Sequence, residues 1–230
     1  MKNPDIKSMF DTIAGGYDFQ NRFLSLWIDM WWRKRMVNSL EQNNAGLILD
    51  MATGTAEIAM KIAQRRPRTK VFGGDFSPNM LRIGMRKVQK RGLANRIKMF
   101  IADARRLPFR EAQFDAVTIA FGIRNIKERE KTLKEFYTVL KPGGQIIIME
   151  FGFPRAPLVG RLYQFYFNRI LPRVGDTISR TGYAYTYLAD SVHAFPKEKV
   201  FVKMMEEAGF RGVRIRKLTL GIAVLFTAEK

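Results

Sequence analysis

The chain has 230 residues, of which 47% are hydrophobic, and a formal net charge of +19. This length suits one domain with elaborations, and the hydrophobic fraction is sufficient for a buried core. Cysteine is absent, which excludes disulfides, thiolate metal sites and iron–sulfur clusters, and the single histidine, His193, argues against a histidine-built metal site. The sequence has no run of 18 apolar residues and no apolar signal core at its start, so we expect neither a membrane-spanning helix nor export.

The elements predicted along the chain alternate between strand and helix, a pattern typical of a parallel sheet covered on both faces. Strands are predicted at 47–51, 70–75, 97–102, 114–121, 145–151, 213–218 and 223–228. Ser77 is positioned to cap a helix that begins at Pro78, where proline is best tolerated. A later helix is predicted over 128–140, ending at the Pro-Gly-Gly turn of 141–144, and another over 197–208.

Two segments fall outside this alternation. Residues 1–45 are predicted to form a helical cap, and residues 152–196 are rich in aromatic side chains and are predicted to form a lid or acceptor-binding insertion. We interpret both as additions to a single domain spanning 1–230, covering the open end of the sheet.

The basic charge is unevenly distributed. Between residues 61 and 110 there are 15 Lys or Arg and only two acids, Asp75 and Asp103. A one-sided basic field favours an anionic partner, either nucleic acid or the surface of an anionic membrane. A solvated, solubilising surface explains the same charge, and charge alone does not choose among the three.

The first predicted strand runs into a loop of small residues, from Asp50 through Gly54 and Thr55. A strand that turns sharply into a helix leaves backbone N–H groups and a positive helix end facing a crevice, and small residues let a ligand approach. The dinucleotide pattern G-x-G-x-x-G is not present here. A tight strand-to-helix turn explains this loop equally well.

Acidic residues at the next two strand ends strengthen the indication of a ligand site. Asp75 ends the second strand about 20 residues after the loop, where a carboxylate can bind both ribose hydroxyls. Asp103, followed by Ala104, ends the third strand, where a carboxylate can accept from an adenine amino group. Each residue alone could be a helix cap. Together they favour a nucleoside ligand.

Motifs in this order resemble class I S-adenosylmethionine methyltransferases. They are Asp50 with Gly54-Thr55, then 74–81, Ala102-Asp103-Ala104 with 107–109, and 140–144. Narrower features are similar to the menaquinone/ubiquinone-biosynthesis C-methyltransferases: Tyr17-Asp18 with Asn21, then 121–125, Glu150-Phe151, and 187–191 with Phe195-Pro196. The resemblance covers nearly the whole chain. It implies a Rossmann-like α/β fold, with a mostly parallel seven-stranded sheet and helices on both faces.

The resemblance implies methyl transfer from S-adenosylmethionine to a ring carbon of a polyprenyl quinol, either demethylmenaquinol or a related benzoquinol, with no metal. It places Asp50, Gly54, Thr55, Asp75, Phe76, Asp103, Ala104, Ala120 and Tyr17 at the cofactor. On the acceptor side, Arg124 is expected to hold or polarise a quinol oxygen, and Asn125 to orient a water that takes its proton. For Arg124 the alternative is a pair with a surface acid. For Tyr17 the alternative is that it only marks the start of an ordinary helix.

The sequence departs from the family pattern at two places. Ala56-Glu57 stands where the family usually has Gly-Asp, and we expect the extra methyl to meet the ligand and the Glu57 carboxylate to move outward. Near the N-terminus, Trp27 stands where relatives often carry glycine, and Asp29-Met30 where many carry histidine and arginine. Cofactor affinity and acceptor identity are the properties that these departures affect.

A polyprenyl acceptor lies in the bilayer, so we expect a cytoplasmic protein peripheral to the inner face of the membrane. The apolar and basic stripe over 158–174 suits either contact with anionic lipid or lining of the acceptor pocket. Two other functions are alternatives: an RNA methyltransferase and a cofactor-fold protein that has lost methyl transfer. The first lacks both a recognisable RNA-binding module and the sequence signature of base amino-methylation. The oligomeric state stays open, with a homodimer as one form.

Overall fold

The computed structural model describes residues 6–41, 46–154, 157–171, 173 and 183–230. Its strands are β1 Leu47–Met51, β2 Lys70–Asp75, β3 Ile97–Ile101, β4 Phe114–Ala120, β5 Leu140–Phe151, β6 Arg211–Leu218 and β7 Ala223–Glu229. Its α-helices are α1 Ile6–Ile13, α2 Tyr17–Leu24, α3 Ile28–Asn38, α4 Glu57–Arg65, α5 Pro78–Lys90, α6 Arg129–Val139, α7 Pro157–Phe165, α8 Ala184–His193 and α9 Glu198–Glu207. Short 3₁₀ turns follow β4 (Ile123–Asn125) and β6 (Thr219–Gly221), and a π-helical turn (Tyr166–Ile170) continues α7.

The seven strands form one sheet in the order β3-β2-β1-β4-β5-β7-β6. All neighbouring pairs from β3 to β5 are parallel, while β7 runs antiparallel to both β5 and β6. The predicted fold class is therefore confirmed. The chain leaves β1 in one direction towards β3 and returns to the other side of β1 at β4, so the sheet has a switch point there, and its crevice lies at the carboxyl ends of these strands.

Local sequence explains the element boundaries. The Ser77 hydroxyl accepts a hydrogen bond from the Met80 amide, and Pro78 occupies the first helical turn, as predicted. One boundary differs, because β5 begins at Leu140, directly after α6, and the predicted turn is an irregularity within this strand. The Gly143 amide reaches the Lys230 carbonyl at 3.2 Å, which ties the segment to the end of β7.

Helices pack on both faces of the sheet. On one face, α3, α4 and α5 bury apolar residues such as Met36, Ile62 and Val88 against the strands. On the other face, α6 and α9 contribute Phe136 and Phe201. This two-sided burial leaves ligand access at the ends of the strands.

A third apolar cluster joins the two additional segments above the carboxyl edge of the sheet. Met9 and Ile13 of α1 pack there with Phe167 of the π-helical turn and with Tyr185 and Ala189 of α8. The helical prediction for the N-terminal segment agrees with α1–α3, whereas the single-domain assignment stays a prediction. Within the described ranges no helix has the length and apolar character needed to cross a bilayer.

Candidate active site

Asp50 supports the loop after β1 through hydrogen bonds to its carboxylate. Its carboxylate is almost fully buried and accepts hydrogen bonds from the hydroxyls of Thr53 (2.6 Å) and Thr118 (2.7 Å). Burial raises the pKa of Asp50 to about 6, although the two threonine hydroxyls act in the opposite direction. Asp50 therefore supports the loop, since its oxygens face the neighbouring strand and the loop itself.

Asp75 connects the same loop to the end of β2. Its carboxylate accepts from the Gly54 amide at 2.8 Å and from the Ser77 amide at 2.9 Å. Burial raises the pKa of Asp75, and these backbone donors lower it. Gly54 has a φ of +54°, in the left-handed region that glycine adopts at least cost. The turn and the acid therefore fix each other at the edge of a crevice.

This cofactor crevice has a volume of about 560 Å³ and lies at the carboxyl ends of β1 to β4. Four of the predicted cofactor residues line it: Asp75, Phe76, Asp103 and Ala104. The lining combines apolar side chains with three carboxylates, Asp75, Asp103 and Glu128, and such acceptors beside apolar groups fit an adenine ring and a ribose. The geometry thus suits the nucleoside half of S-adenosylmethionine.

Asp103 is already engaged in this structure. The guanidinium of Arg105 contacts both of its oxygens, at 2.7 to 3.0 Å, and reaches Glu128 at 2.6 Å on the opposite wall of the crevice. Hydrogen bonding from Arg105 is the main reason that the pKa of Asp103 is lowered. The side chains of Asp103 and Arg105 are both about half exposed, so water screens the pair.

A smaller cavity, about 60 Å³, is lined by Arg124 and is called the acceptor cavity below, after the function proposed for it. The Arg124 guanidinium pairs with Glu150 at 3.0 Å, donates to the Phe121 carbonyl and reaches the Ser191 hydroxyl at 3.3 Å. The partner of Arg124 is thus a buried acid at the end of β5, in place of the surface acid that was considered as an alternative. Arg124 also lies 5.3 Å from the centre of the Phe151 ring.

A hydrogen bond at Asn125 links the walls of the two cavities. Asn125 lines the cofactor crevice, and its side-chain oxygen accepts from the hydroxyl of Tyr187 at 3.1 Å. Tyr187, on α8, lines the acceptor cavity. Arg124 and Asn125 are consecutive in the 3₁₀ turn after β4, so one turn presents one side chain to each cavity.

The N-terminal helices close the acceptor cavity. Tyr17 of α2 and Arg33 of α3 both line it. Burial raises the pKa of the Tyr17 hydroxyl, and the charges of Arg33 and Arg124 oppose that rise. Asp29 pairs with Arg33 at 3.2 Å. Tyr17 therefore lies beside two guanidiniums at the acceptor cavity, although it was predicted to bind the cofactor.

A third, apolar cavity of about 260 Å³ continues from the acceptor cavity. The two share six lining residues: Asn21, Ser25, Trp32, Phe151, Tyr185 and Leu188. Beyond these, its walls are mostly aromatic and aliphatic, including Leu24, Tyr163 and Phe167. Polar groups therefore concentrate at the inner end, and the outer end suits an apolar chain.

Comparison with known proteins identifies the family. The model of the ubiE/COQ5 methyltransferase family matches residues 1–230. The chain belongs to this family. It is 46% identical over its full length to the ubiquinone/menaquinone biosynthesis C-methyltransferase UbiE of Geotalea daltonii, covering 97% of that protein. It is 44% identical to the demethylmenaquinone methyltransferase of Thermus thermophilus, with 96% of this chain and all of that protein aligned.

Solved structures agree on the fold. A SAM-dependent methyltransferase from Aquifex aeolicus aligns with a TM-score of 0.62 over 86% of this chain and 88% of that one, at 17% identity. The chain is accordingly an S-adenosylmethionine-dependent methyltransferase of class I. Neither comparison supports RNA methylation or loss of methyl transfer.

The departure from the family pattern at Ala56 and Glu57 has a structural explanation. Ala56 has a φ of +65°, in the left-handed region that favours glycine, but its methyl is fully buried in the core beneath α4. Glu57 is also buried and pairs with Lys87 and with Arg22, the latter at 3.2 Å. Burial favours a raised pKa for Glu57, yet Lys87 and the neighbouring arginines lower it overall. The expectations that the methyl meets the ligand and that the carboxylate moves outward were therefore wrong.

Thr55 belongs to the same charge cluster. Its hydroxyl donates to Asp18 at 2.6 Å, and Lys87 reaches both Asp18 (2.6 Å) and Thr55 (3.2 Å). The cluster attaches α2 to the cofactor loop, so Asp18 does more than start a helix. The sequence offered no signal for Lys87, which lies on α5 more than 30 residues from its partners.

Other candidate residues line neither the cofactor crevice nor the acceptor cavity. Ala120 is half-buried at the end of β4 and packs against the core. His193 stacks on Phe153 and hydrogen-bonds Asn168 at 3.0 Å, a packing role. In the stripe predicted over 158–174, Phe167 and Leu171 are buried, whereas the side chains of Leu158, Leu162 and Ile170 and residue 174 lie outside the described residues. Among the described residues, no group of three or more His, Cys, Asp or Glu is arranged to hold a metal ion.

Proposed function

We propose that this methyltransferase of the ubiE/COQ5 family methylates a ring carbon of a polyprenyl quinol, either demethylmenaquinol or the related benzoquinol. The observation that carries the proposal is the hydrogen bond between Asn125 of the cofactor crevice and Tyr187 of the acceptor cavity. Methyl transfer requires donor and acceptor side by side, and this bond joins the wall of one cavity to the wall of the other. The printed names of the relatives point to the same class of acceptor.

The cofactor crevice supplies the residues for the methyl donor. S-adenosylmethionine brings a methyl group on a cationic sulfur that is already activated for transfer. We assign Asp75 to the ribose hydroxyls and Asp103 to the adenine amino group, with Phe76 and Ala104 against the base. Asp50, Gly54 and Thr55 fix the loop on which these contacts depend. Binding at Asp103 requires Arg105 to release at least one of its oxygens.

The acceptor cavity supplies the residues for the quinol. A ring carbon ortho to oxygen becomes nucleophilic when the phenol loses its proton. After this carbon has accepted the methyl group, it gives up its own hydrogen as a proton to water, which restores the aromatic ring. Arg124 and Arg33 are placed to stabilise the phenolate oxygen. Asn125 orients a water that takes the proton, while Tyr17 and Tyr187 exclude bulk solvent from the ring. The aromatic cavity beyond receives the first units of the prenyl chain, since it is apolar and shares walls with the acceptor cavity.

The polyprenyl acceptor also implies where the protein works. Its tail resides in the bilayer, so we propose a cytoplasmic enzyme in peripheral contact with anionic lipid on the inner face of the membrane. The charge of +19 supports this contact. A homodimer is one form that we propose, and the mechanism does not require it.

The direct test is methyl transfer by the purified protein. We expect demethylmenaquinol or its benzoquinol counterpart in anionic vesicles to gain one methyl on a ring carbon, detected by mass and located by NMR. Asn125→Ala is expected to lower kcat about 100-fold. The matched control is Asn168→Ala, which removes an asparagine that bonds His193 outside the three cavities. Transfer to RNA with none to either quinol would overturn the proposal.

A further inference from the structure

The turn between α2 and α3 has the largest concentration of exposed apolar residues in the described part of the chain. Half of the large apolar side chains that are exposed there fall within residues 19–31. They are Phe19, Phe23, Leu26, Trp27, Ile28, Met30 and Trp31. A concentration of exposed apolar side chains of this kind marks an interaction site in a protein that is otherwise charged.

The backbone holds two of these side chains outward at the tip. Leu26 and Trp27 have φ values of +50° and +62°, in the left-handed region that bulky residues rarely adopt. Their side chains are 78% and 54% exposed. The Trp27 amide donates to the Arg22 carbonyl at 2.7 Å, which fixes the turn. An unfavourable conformation is therefore maintained at the point where two large apolar groups meet solvent.

The tip is continuous with the apolar cavity proposed for the prenyl chain. Leu24, Leu26 and Ile28 form part of the lining of that cavity. On its other side, the Tyr166 hydroxyl donates to the Leu24 carbonyl at 2.8 Å. The same turn thus carries both the exposed surface and one wall of the cavity.

Charge on these helices favours an anionic partner. Both acids of α2 and α3 are engaged inside the protein, Asp18 with Lys87 and Asp29 with Arg33. Lys34 and Arg35 follow the tip and are exposed. The Arg35 guanidinium lies 5.0 Å from the centre of the exposed Trp31 ring, an arrangement of cation and indole that suits a membrane interface.

We infer that the α2–α3 turn is the surface that docks on an anionic bilayer, with Leu26 and Trp27 inserted among the lipids and the apolar cavity opening towards the acyl chains. This inference rests on the proposed function and deepens it, since it states how a polyprenyl tail enters from the membrane. It places the main contact on the N-terminal cap, whereas the sequence suggested 158–174.

The first experiment measures sedimentation of the purified full chain with vesicles. The test variant is Leu26→Asn/Trp27→Asn, because asparagine tolerates the left-handed conformation. The matched control is Val200→Asn/Ile215→Asn, which removes two exposed apolar residues from α9 and β6. With vesicles containing phosphatidylglycerol, we expect at least a tenfold weaker partition for the test variant and an unchanged one for the control. Equal partition of the test variant and the parent protein overturns the inference.

A second measurement uses the native tryptophans and does not depend on any variant. Trp27 and Trp31 are exposed, whereas Trp32 is buried and bonded to Thr219 at 2.8 Å. Brominated lipids should quench the emission of the exposed tryptophans of the bound parent protein, Trp27 most strongly, and leave the Trp32 component. Absence of quenching overturns the inference. So does a turn that is shielded by a second copy of the chain, which would appear as a dimer that the test variant dissociates.

The two proposals fail separately. Vesicle binding with no methylation of either quinol leaves this docking surface in place and refutes the proposed function. Methylation of a quinol dispersed in detergent, with no quenching and no vesicle binding, supports the proposed function and refutes the docking surface.

Discussion

The cofactor crevice and the acceptor cavity are built in different ways. The crevice collects its residues from the ends of neighbouring parallel strands, with Asp75 held by the backbone amides of Gly54 and Ser77. The acceptor cavity combines α1–α3, the turn after β4 and α8, and its polar groups are held by other side chains, such as Arg124 by Glu150. A site fixed by backbone turns appears in the sequence as a motif. The pairing of distant side chains, such as Arg124 with Glu150, does not.

The two sites also differ in how they carry charge. Asp103 and Arg105 in the crevice are half exposed, so water weakens their attraction. Arg124 and Glu150 at the acceptor cavity are almost fully buried, so each depends on the other for compensation. Disturbing the acceptor cavity should therefore cost stability, and disturbing the rim of the crevice should mainly change binding.

The largest expected effect is at Arg124. Arg124→Met leaves Glu150 buried without its cation, and we expect a loss of about 3–5 kcal/mol in the free energy of unfolding, measured with urea. Adding Glu150→Gln should recover most of that stability without restoring activity. If the single variant is as stable as the parent, the buried pair does not hold the acceptor cavity and the contrast with the crevice fails.

The next effect is the pH dependence of stability that arises from Asp50, the residue that supports the loop after β1. Burial raises the pKa of Asp50 from its ordinary value of 3.8 to about 6 in the fold, so the folded state binds the proton more tightly. Stability from this group is complete below pH 4 and is lost as the pH rises to 6, by about 3 kcal/mol. Asp50→Asn should remove that dependence, so the difference in unfolding free energy between variant and parent should grow from pH 4 to 6. A difference in unfolding free energy that stays constant between pH 4 and 6 contradicts this prediction.

A loss of cofactor affinity is expected at Asp75. Asp75→Ala removes the proposed ribose contact and frees the Gly54 amide, so calorimetry should show about 100-fold weaker binding of S-adenosylmethionine, or about 2.7 kcal/mol. The matched control is Asp115→Ala, at the opposite end of the sheet, where the carboxylate accepts from the Leu47 amide at 2.6 Å. The control should leave affinity unchanged; an equal loss in both variants would mean that stability alone explains the result.

The smallest effect is expected at Arg105. Arg105→Ala frees Asp103 for the cofactor, and because an exposed pair contributes at most about 1 kcal/mol, affinity should rise by no more than about fivefold. The gain should shrink at high salt, which already screens the pair in the parent. Arg110→Ala removes an exposed arginine elsewhere and should have no effect. Weaker binding by Arg105→Ala would assign the arginine to the cofactor instead.

Most of the fold could be predicted from the sequence. The central strands β1 and β4 are short apolar runs, and Ser77-Pro78 specifies the start of α5 within one residue. The placement of Asp75 and Asp103 in one crevice also followed, because parallel strands end at the same edge of the sheet. These features depend on local patterns and on one rule of topology.

The acceptor cavity was only partly predictable. Arg124 and Asn125 were found through a motif, but nothing in the sequence indicated that their side chains face different cavities. Arg33 and Lys87 were missed, because each finds its function through a partner on another element. The sequence likewise did not predict that the Ala56 methyl is buried, because the left-handed backbone at this residue decides where its Cβ points.

By itself, the sequence determined the order of strands and helices and the residues at the strand ends, because these follow from periodicity and local turn chemistry. The family followed from the resemblance of its motifs. Only the tertiary structure decided that α2 is bound to the cofactor loop by Glu57 and Lys87, that Arg124 pairs with a buried acid, and that the α2–α3 turn is exposed. The physical reason is that such contacts join residues far apart in the chain, and their energy depends on burial, which arises when the elements pack together.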